Sequence, residues 1–365
     1  MADMAAPTDG TRGQDLRILV VGPDIQGVSG EPTHIRTLLS SPLAEEFELL
    51  YHRVGGGERR LVPENPIRRN LARILSPFGF LLKLLFSRVH IVHINNTFNT
   101  KGLIRDCTLA ALAALMRKKV VFEMHGGQPQ KWFETHGLLR PFVLWSLRRV
   151  HRVICLSREQ ERFLAQHLDS QRYTLIPNMV EVQRFKPSVP QKPPAFLYVG
   201  RLLRTKGVFD LVEAFSRLER GPVLWIAGDG PARPELQRMI NQKSLGHRAR
   251  LLGFVIGQDK IQLFSKAWAL ILPSYHEGFP YTVLEAMASA LPVVATRVGA
   301  IPEMIQHGTE GLLLPPGRPD LLARAMQSLL DPDLRNRMAK ASLDAVQRYS
   351  VDKVFRQYSR VYREI

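Results

Sequence analysis

The feature that most constrains the fold is an alternation of short apolar runs with longer segments of helical spacing. Apolar runs of this kind, separated by helical segments, are typical of parallel strands joined by crossover helices. We therefore expect the first half of the chain to form a parallel sheet with helices on both faces. Its strand-like runs are residues 17–24, 47–54, 89–95, 119–126 and 152–157.

A proline-rich stretch interrupts this alternation. The sequence FKPSVPQKPPAF, residues 185–196, holds four prolines and two lysines, a composition typical of linkers. Beyond it the runs FLYVGRL, VLWIAGDG, RLLGFV, ALILPS and PVVATRV restart the pattern. The sequence thus predicts an α/β protein of two doubly wound, Rossmann-like domains facing a cleft, with ligands bound at the carboxyl ends of the strands.

The expected division of the chain follows from this pattern. A length of 365 residues is more than one hydrophobic core usually organises. The final segment, SVDKVFRQYSRVYREI, has helical spacing and no further strand. The predicted parts are a disordered leader of residues 1–16, an N-terminal domain of residues 17–186, a linker of residues 187–195, a C-terminal domain of residues 196–345 and a C-terminal helix of residues 346–365.

The net charge of +17 indicates an anionic partner. An anionic membrane surface or an anionic substrate is favoured. Nucleic acid is not expected as a partner, because the basic residues are scattered and no aromatic residues are set among them in an RNA-binding signature.

The two cysteines, Cys107 and Cys155, are too few for a disulfide framework and have no metal-ligand spacing. They indicate a reducing compartment. Residues 1–16 contain no apolar segment of the signal-peptide type, and no apolar run is long enough to span a bilayer. A cytoplasmic location is therefore expected.

Two cations occupy one predicted loop at a strand's carboxyl end. In GRLLRTKG, Arg201 and Lys206 follow an apolar run. An arginine fork and a lysine point charge together suit a diphosphate. Taken alone, two solvated loop cations are the simpler interpretation.

Two acidic residues flank a helix start in EGFPYTVLEAMASALPVVAT. Pro280 suits the first helical turn, Glu277 precedes it and Glu285 lies inside the helix. A helix start attracts anions, but two carboxylates accept hydrogen bonds from hydroxyl groups such as those of sugars. The alternative is that Glu285 braces a neighbouring loop.

The order and spacing of several motifs are similar to those of one enzyme family. GRLLRTKG, IAGDGP, LLGFV, PSYHEGFPYTVLEAMASALPVVATRVGAIPEMI and GLLLPPG resemble the retaining glycosyltransferases of family 4, and the resemblance covers essentially the whole chain after the leader. It implies the GT-B fold, with the C-terminal helix returning to the first domain. The two carboxylates match the E-x7-E motif of that family.

The resemblance implies a role for each matching residue. Arg201 and Lys206 would bind the donor diphosphate and stabilise the leaving nucleotide, and Glu277 would contact the hydroxyls of the donor sugar. Glu285 would hold the ribose, and His125 would lie near the transferred sugar. The remaining donor contacts implied are the backbone of Gly278, Phe279 and Pro280, the base pocket of Gly253, Phe254 and Val255, and the phosphate loop that begins at Gly27.

The resemblance also implies the chemistry. A nucleotide sugar linked through UDP or GDP is the expected donor, and no cofactor or metal is expected because no Asp-x-Asp lies at a strand end. Front-face attack would retain the anomeric configuration. The chain departs from the family in the first loop, where Gln26 precedes Gly27 and Glu31-Pro32 follows Gly30, which leaves the start of the first helix uncertain. Ala290 replaces a usual glycine.

The acceptor is expected to be a glycan or a lipid-linked molecule of surface polysaccharide or glycolipid synthesis. The basic and apolar segment of residues 66–88 suits an anionic membrane interface, which predicts a peripheral protein on the inner face of the membrane. Membrane contact is favoured for residues 68–80, and a crossover helix buried on one face for residues 81–86. Alternatives are a catalytically inactive GT-B scaffold, or an epimerase or phosphorylase on the same fold.

Overall fold

The computed structural model describes residues 16–55, 65–219 and 221–365. The chain divides into two compact units: the first runs to Pro177 and also includes Asp352–Ile365, and the second is Asn178–Val351. The division therefore falls before the proline-rich stretch. Residues 178–186, expected in the first domain, and the expected linker of residues 187–195 both belong to the second unit. The predicted leader, except residue 16, lies outside the described residues.

The first unit contains a parallel six-stranded sheet in the order β2-β1-β3-β4-β5-β6. Central strands β1, β3 and β4 are almost wholly buried, which explains why they read as continuous apolar runs. The last strand is only three residues long and was not among the predicted runs. The strands are β1 (Arg17–Gly22), β2 (Glu48–Arg53), β3 (Ile91–Thr97), β4 (Lys119–Gly126), β5 (Arg152–Cys155) and β6 (Tyr173–Leu175).

Helices connect these strands, and three of them begin at a side-chain cap. The Asn65 side chain accepts a hydrogen bond from the Ile67 amide. The Asn99 side chain accepts a hydrogen bond from the Gly102 amide, and Ser157 accepts one from the Gln160 amide. Such caps satisfy amides that a helix start leaves without partners. The helices are α1 (Gly30–Leu39), α2 (Leu43–Glu46), α3 (Pro66–Phe86), α4 (Thr100–Leu115), α5 (Pro129–Thr135), α6 (Arg140–Leu147) and α7 (Arg158–Ala165).

The second unit contains another parallel six-stranded sheet, in the order β12-β11-β10-β7-β8-β9. The chain runs outward from β7 to β9 on one side and from β10 to β12 on the other. Strands β7 and β10 are therefore neighbours at a topological switch point, where open α/β sheets bind ligands. The strands are β7 (Ala195–Val199), β8 (Val223–Ala227), β9 (Ala249–Gly253), β10 (Ala269–Leu272), β11 (Val293–Thr296) and β12 (Gly311–Leu314).

The helices of the second unit include one that is buried on nearly every side. Helix α11 buries Val283, Leu284, Glu285, Ala286 and Met287, so its single acidic residue is held inside the unit. The helices are α8 (Val208–Ser216), α9 (Arg233–Gln242), α10 (Gly257–Lys266), α11 (Tyr281–Ala288), α12 (Ile301–Met304), α13 (Pro319–Ser328) and α14 (Pro332–Ala345).

The last helix, α15 (Val351–Glu364), returns to the first unit, as predicted. Tyr358 and Tyr362 are fully buried there. Their hydroxyls contact side chains of the first sheet: Tyr358 donates to Glu123 Oε1 at 2.8 Å, and the Tyr362 hydroxyl lies 2.6 Å from His93 Nδ1. The helix begins later than residue 346, because a 3-10 turn precedes it.

Helix α3 crosses over from β2 to β3 with one buried side. Phe80 and Leu84 are buried, whereas Leu82, Leu85 and Phe86 are each more than half exposed. For residues 81–86 this agrees with the expected crossover helix buried on one face. Phe80 lies in the stretch that was expected to contact the membrane, and that expectation is wrong for Phe80 because its side chain is buried in the first unit.

Candidate functional site

The loop after β7 carries the two predicted phosphate-binding cations. The Tyr198 hydroxyl donates to the Arg201 carbonyl at 2.8 Å, which fixes the start of the loop, and the Arg201 residue is exposed. A single 3-10 turn ends at Lys206. The chain then turns at Gly207, whose φ of 66° suits glycine.

The loop after β10 brings Glu277 to Lys206. Lys206 Nζ lies 2.7 Å from Glu277 Oε1, and the Ser274 hydroxyl donates to the same oxygen at 2.6 Å. The Glu277 side chain is 10% exposed and that of Lys206 is 26% exposed. A cation and a carboxylate from neighbouring strand ends therefore form one partly buried unit. The sequence assigned them separate roles and did not identify Ser274.

Close backbone approach holds these two loops together. A Cβ at Gly207 would lie 2.0 Å from the Pro273 carbonyl oxygen, and the Tyr275 amide donates to the Thr205 carbonyl at 2.9 Å. A Cβ at Gly299 would lie 2.0 Å from the Glu277 carbonyl oxygen. The position of Glu277 thus depends on glycines far away in sequence.

The Gly-Asp-Gly turn after β8 has a similar packing role. A Cβ at Gly228 would lie 1.8 Å from the Gly200 carbonyl oxygen, and one at Gly230 would lie 2.2 Å from the Leu202 carbonyl oxygen. In the sequence this turn, IAGDGP, served only as one of the motifs of the family resemblance. Its glycines allow the loops after β7 and β8 to touch.

The residues between Glu277 and α11 are anchored through their carbonyl groups. The Gly278 carbonyl accepts from the Ala300 amide at 2.9 Å, and the Phe279 carbonyl accepts from Asn178 Nδ2 at 2.9 Å. Pro280 precedes the first helical residue. These contacts fix where the helix begins, and Asn178 is a supporting residue that sequence reasoning missed.

Glu285 lies inside α11, and its two carboxylate oxygens differ in their contacts. Its side chain is 8% exposed, and Oε1 lies 2.6 Å from Lys260 Nζ. Within the described part of the chain, Oε2 is buried without a hydrogen-bond partner. A buried carboxylate oxygen with free lone pairs is ready to accept a hydrogen bond from a ligand.

The predicted base pocket lies at the end of β9. Gly253 ends the strand with a φ of 72°, and the next residue, Phe254, is 45% exposed. A groove of about 420 Å³ is lined by Phe254, Val255, Ile256 and Asp259 among other residues. An exposed aromatic ring beside aliphatic side chains suits a planar base.

His125 lies in the first unit, near the end of β4. The Asn95 amide donates to the Val21 carbonyl, which orients the amide so that Asn95 Oδ1 accepts from His125 Nε2 at 2.8 Å. Burial lowers the pKa of His125 to about 3, although Glu123 acts in the opposite direction. The imidazole is therefore neutral and donates through Nε2.

Glu123 lies at the centre of a buried polar cluster. His93 Nε2 lies 2.9 Å from Glu123 Oε2, His34 Nε2 lies 3.4 Å from it, and Tyr358 donates to Oε1. Burial alone would raise the pKa of Glu123, but the nearby His34 and His125 and the hydrogen bonds with His34 and His93 hold this pKa well below its ordinary value.

The same cluster includes the one group of described residues with metal-ligand spacing. The ligand atoms of His34, Glu123 and His125 lie within 4.8 Å of one another. Imidazole nitrogens and a carboxylate oxygen are ligands that zinc accepts, but the same atoms can also serve in hydrogen bonds within the protein. The sequence did not predict this convergence.

The loop at Gly27 also belongs to the first unit. The Gly27 amide donates to the Asp24 carbonyl at 2.8 Å, and Arg36 Nη1 donates to the Gly27 carbonyl at 2.9 Å. Helix α1 begins at Gly30 with Ser29 as its N-terminal cap residue. The helix start left uncertain by the sequence is thereby located three residues after Gly27.

Two family models match the chain in tandem. The model described as "Glycosyltransferase Family 4" matches residues 33–184, and the one described as "Glycosyl transferases group 1" matches residues 179–344. The first match lies mainly in the first unit and the second in the second unit. The chain belongs to glycosyltransferase family 4.

Curated relatives of this family 4 chain match it over part of their length. Alpha-D-kanosaminyltransferase of Streptomyces kanamyceticus is 38% identical over 178 residues, which are 47% of this chain and 46% of that protein. N-acetyl-alpha-D-glucosaminyl L-malate synthase of Bacillus anthracis is 31% identical over 174 residues, with 46% and 45% covered. The chain thus spans about half the length of these relatives.

Solved structures match the family 4 chain over nearly its whole length. Sucrose-phosphate synthase from Thermosynechococcus elongatus has a TM-score of 0.77 at 21% identity, covering 96% of this chain and 98% of that one. Anabaena HepE in complex with UDP has a TM-score of 0.77 at 18% identity, with 96% and 100% covered. At these identities the likeness concerns the fold, and the predicted GT-B class is confirmed.

Proposed function

We propose that this chain transfers a sugar from a nucleotide diphosphate sugar to an acceptor hydroxyl with retention of configuration. The observation that carries the proposal is the pairing of Lys206 with Glu277 at 2.7 Å beside the switch point of the second sheet. A cation suits the donor diphosphate, and a carboxylate suits the hydroxyls of the attached sugar. The two groups are adjacent, as are phosphate and sugar in such a donor.

The cations would act on the leaving group. Negative charge grows on the diphosphate as its bond to the sugar breaks, and fixed cations lower the barrier where that charge develops. Arg201 is exposed and can reach an anion from solvent, whereas Lys206 is already held by Glu277. We assign the leaving-group role to both residues, with Lys206 the more closely positioned.

The bond changes balance within the donor and acceptor. The acceptor oxygen bonds to the anomeric carbon on the face from which the diphosphate departs, and the departing phosphate oxygen takes the acceptor's proton. Glu277 would accept hydrogen bonds from sugar hydroxyls. His125, neutral because burial lowers its pKa to about 3, would act as a hydrogen-bonding group and not as a cation.

The reaction is proposed to need neither cofactor nor metal. Arg201 and Lys206 supply the positive charge that a metal ion would otherwise bring to the diphosphate. The histidine cluster around Glu123 is engaged by protein hydrogen bonds within the first unit. We therefore assign it to positioning His125.

The nucleotide is proposed to be a uridine or guanosine diphosphate. Anabaena HepE was solved in complex with UDP, which makes UDP the first nucleotide to test. The base would lie in the groove beside Phe254 and Val255, and the ribose would meet the buried Oε2 of Glu285.

A binding and turnover experiment tests this function. Purified protein is incubated with UDP- and GDP-sugars, and the melting temperature and nucleotide release are followed. We expect one nucleotide to raise the melting temperature and Lys206→Met to abolish that rise. Lys243→Met is the matched control, because Lys243 pairs with Glu213 at 2.7 Å on a more exposed surface. If no nucleotide stabilises the protein, the proposal is wrong.

An inactive GT-B scaffold and an epimerase remain the competing functions. A scaffold would bind nucleotide without releasing it from a nucleotide sugar, and an epimerase would convert the sugar while it remains linked to the nucleotide. Nucleotide release with formation of a glycosylated product of unchanged anomeric configuration distinguishes transfer from both.

The acceptor is proposed to be a glycan or lipid-linked molecule at an anionic membrane surface. An apolar face runs the length of α3, and each of its residues is more than half exposed. Their spacing of three or four residues places them on one side of the helix. The α3 apolar face consists of Ile67, Leu71, Leu75, Phe78, Leu82, Leu85 and Phe86.

The charge of the chain favours a membrane as the partner of this face. A net charge of +17 attracts anionic headgroups, and exposed apolar side chains can enter the interface beneath them. No helix among the described residues is both long and apolar enough to cross a bilayer. A peripheral location on the inner face of the membrane follows as part of the proposal.

Vesicle flotation tests the membrane proposal. We expect salt-sensitive binding to phosphatidylglycerol vesicles and weak binding to phosphatidylcholine vesicles. Leu75→Asp with Phe78→Asp should abolish binding, whereas Leu138→Asp should not, since Leu138 is 98% exposed but lies outside α3. Equal flotation of both variants would contradict a role for the α3 apolar face.

A further inference from the structure

Lys260 forms an ion pair that the sequence did not indicate. It lies in α10, and its Nζ is 2.6 Å from Oε1 of Glu285 in α11. The lysine side chain is 25% exposed and the glutamate side chain 8% exposed. A carboxylate this deeply buried needs compensation of its charge, and Lys260 supplies it.

The geometry of the ion pair leaves Oε2 of Glu285 as a hydrogen-bond acceptor for a ligand. A lysine is a point charge and here engages Oε1, whereas an arginine fork would tend to engage both carboxylate oxygens. Oε2 of Glu285 is buried and has no hydrogen-bond partner among the described residues. Lysine at position 260 thus fixes the carboxylate while keeping one oxygen free for a ligand.

The position of the pair fits the order of groups in a nucleotide. Helix α10 begins directly after the groove residues Phe254–Ile256, and its residue Asp259 also lines that groove. Helix α11 begins directly after the loop that carries Glu277. The ion pair therefore links the helix beside the base groove to the helix that follows Glu277, the partner of Lys206, as a ribose links a base to its diphosphate.

We infer that Lys260 is a positioning residue for ribose recognition, holding Glu285 so that its Oε2 accepts from a hydroxyl of the nucleotide's vicinal diol. The inference rests on the proposed function and deepens it, because it assigns the discrimination between ribose and deoxyribose to this ion pair. A ribonucleoside diphosphate is the chemical class that the subsite selects.

The test compares ribose with deoxyribose nucleotides. Isothermal titration measures Kd of wild-type protein and Lys260→Met for UDP and GDP and for their 2′-deoxy and 3′-deoxy forms. A hydrogen bond to a charged group corresponds to about tenfold or more in affinity. We expect wild type to prefer the ribose form of its nucleotide by at least about tenfold over one deoxy form, and Lys260→Met to reduce this preference to about twofold.

Two further variants distinguish the positioning of Glu285 by Lys260 from a general destabilisation of the protein. Lys260→Arg keeps the charge and should also lose discrimination, since its fork engages Oε2, and it carries the test if Lys260→Met does not fold. Lys243→Met removes a pair of similar length between Lys243 and Glu213 and should keep the wild-type preference. In turnover assays the Lys260 variants should raise the donor KM more than they lower kcat.

The results of these binding measurements distinguish a failure of the Lys260 inference from a failure of the proposed function. An unchanged ribose preference in the Lys260 variants, with nucleotide binding intact, would overturn the inference and leave the proposed function standing. Wild-type protein that binds no nucleotide would overturn both. If Lys243→Met also lost the preference for ribose over deoxyribose nucleotides, loss of an unrelated ion pair in the second unit would be enough to remove it. That result would also overturn the inference.

Discussion

Tyr358 of the C-terminal helix donates a 2.8 Å hydrogen bond to Glu123 of strand β4, and both side chains are fully buried. The helix packs in the first unit, and its Tyr358 is part of the buried polar cluster beside His125. A group supplied from near the C-terminus thus supports a residue of the first sheet that is expected to face the sugar.

Removing this hydroxyl is expected to destabilise the protein. Tyr358→Phe leaves the buried Glu123 carboxylate without one of its donors, which should lower the free energy of unfolding by about 1–3 kcal/mol. Urea unfolding measures the change. Tyr275→Phe is the control, because the Tyr275 hydroxyl donates to Asp210 at an exposed site and its loss should cost at most about 0.5 kcal/mol. Equal effects would contradict the importance of burial.

Stability is expected to fall as the pH falls below neutrality. The pKa of His125 is lowered from 6.5 to about 3 in the folded protein, so the unfolded chain takes up the proton first. Stability is therefore complete above about pH 6.5 and is lost progressively toward pH 3, by up to about 1.4 kcal/mol per pH unit. The lowered pKa of Glu123 adds a loss of the same sign below its ordinary value of 4.5.

Unfolding midpoints between about pH 7.5 and about pH 5 measure this dependence. His125→Gln should flatten the slope without removing it, because burial also lowers the pKa values of His52 and His151. A wild-type protein that becomes more stable as the pH falls through this range would contradict the assignment of a neutral, buried His125.

Lys206 and Glu277 are expected to act as one unit in catalysis. Lys206→Met and Glu277→Gln should each lower kcat by about 10²–10³, because each removes charge placed where the donor reacts. The double variant should lose much less than the product of the two single losses, since the residues contact each other. Nucleotide-sugar turnover in a double-mutant cycle measures the coupling, and fully multiplicative losses would show independent roles.

The strands were predictable from the sequence because buried parallel strands are continuous apolar runs, as β1 and β4 are. The short strand β6 was missed because three half-buried residues give no such signal. The pairings within the sites were not predictable in the same way. Glu277 and Lys206 are 71 positions apart, and Tyr358 and Glu123 are 235 apart, so only the folded chain decides their contact.

The domain boundary shows a different limit. The proline-rich composition of residues 187–195 predicted a linker. These residues lie outside the helices and strands except Ala195, which begins β7, but composition does not say which core such a segment packs against. Gln191 donates its amide to the Lys266 carbonyl, and Asn178 donates to the Phe279 carbonyl, both within the second unit. Such tertiary contacts, which no local pattern records, move the division to Pro177/Asn178.

Replacement of Gly207 by alanine is expected to distort the loop after β7 that carries Arg201 and Lys206. Gly207 has a φ of 66°, and a Cβ there would lie 2.0 Å from the Pro273 carbonyl oxygen. Both the backbone strain and the clash disfavour the native loop, so Gly207→Ala should lower the free energy of unfolding by more than about 2 kcal/mol. Gly246→Ala is the matched control, because a Cβ there meets nothing within 4 Å. Chemical denaturation compares the two, and nucleotide affinity should fall only in Gly207→Ala, since the clash separates Lys206 from Glu277. Comparable stability of the two variants would contradict the close approach of the loops after β7 and β10.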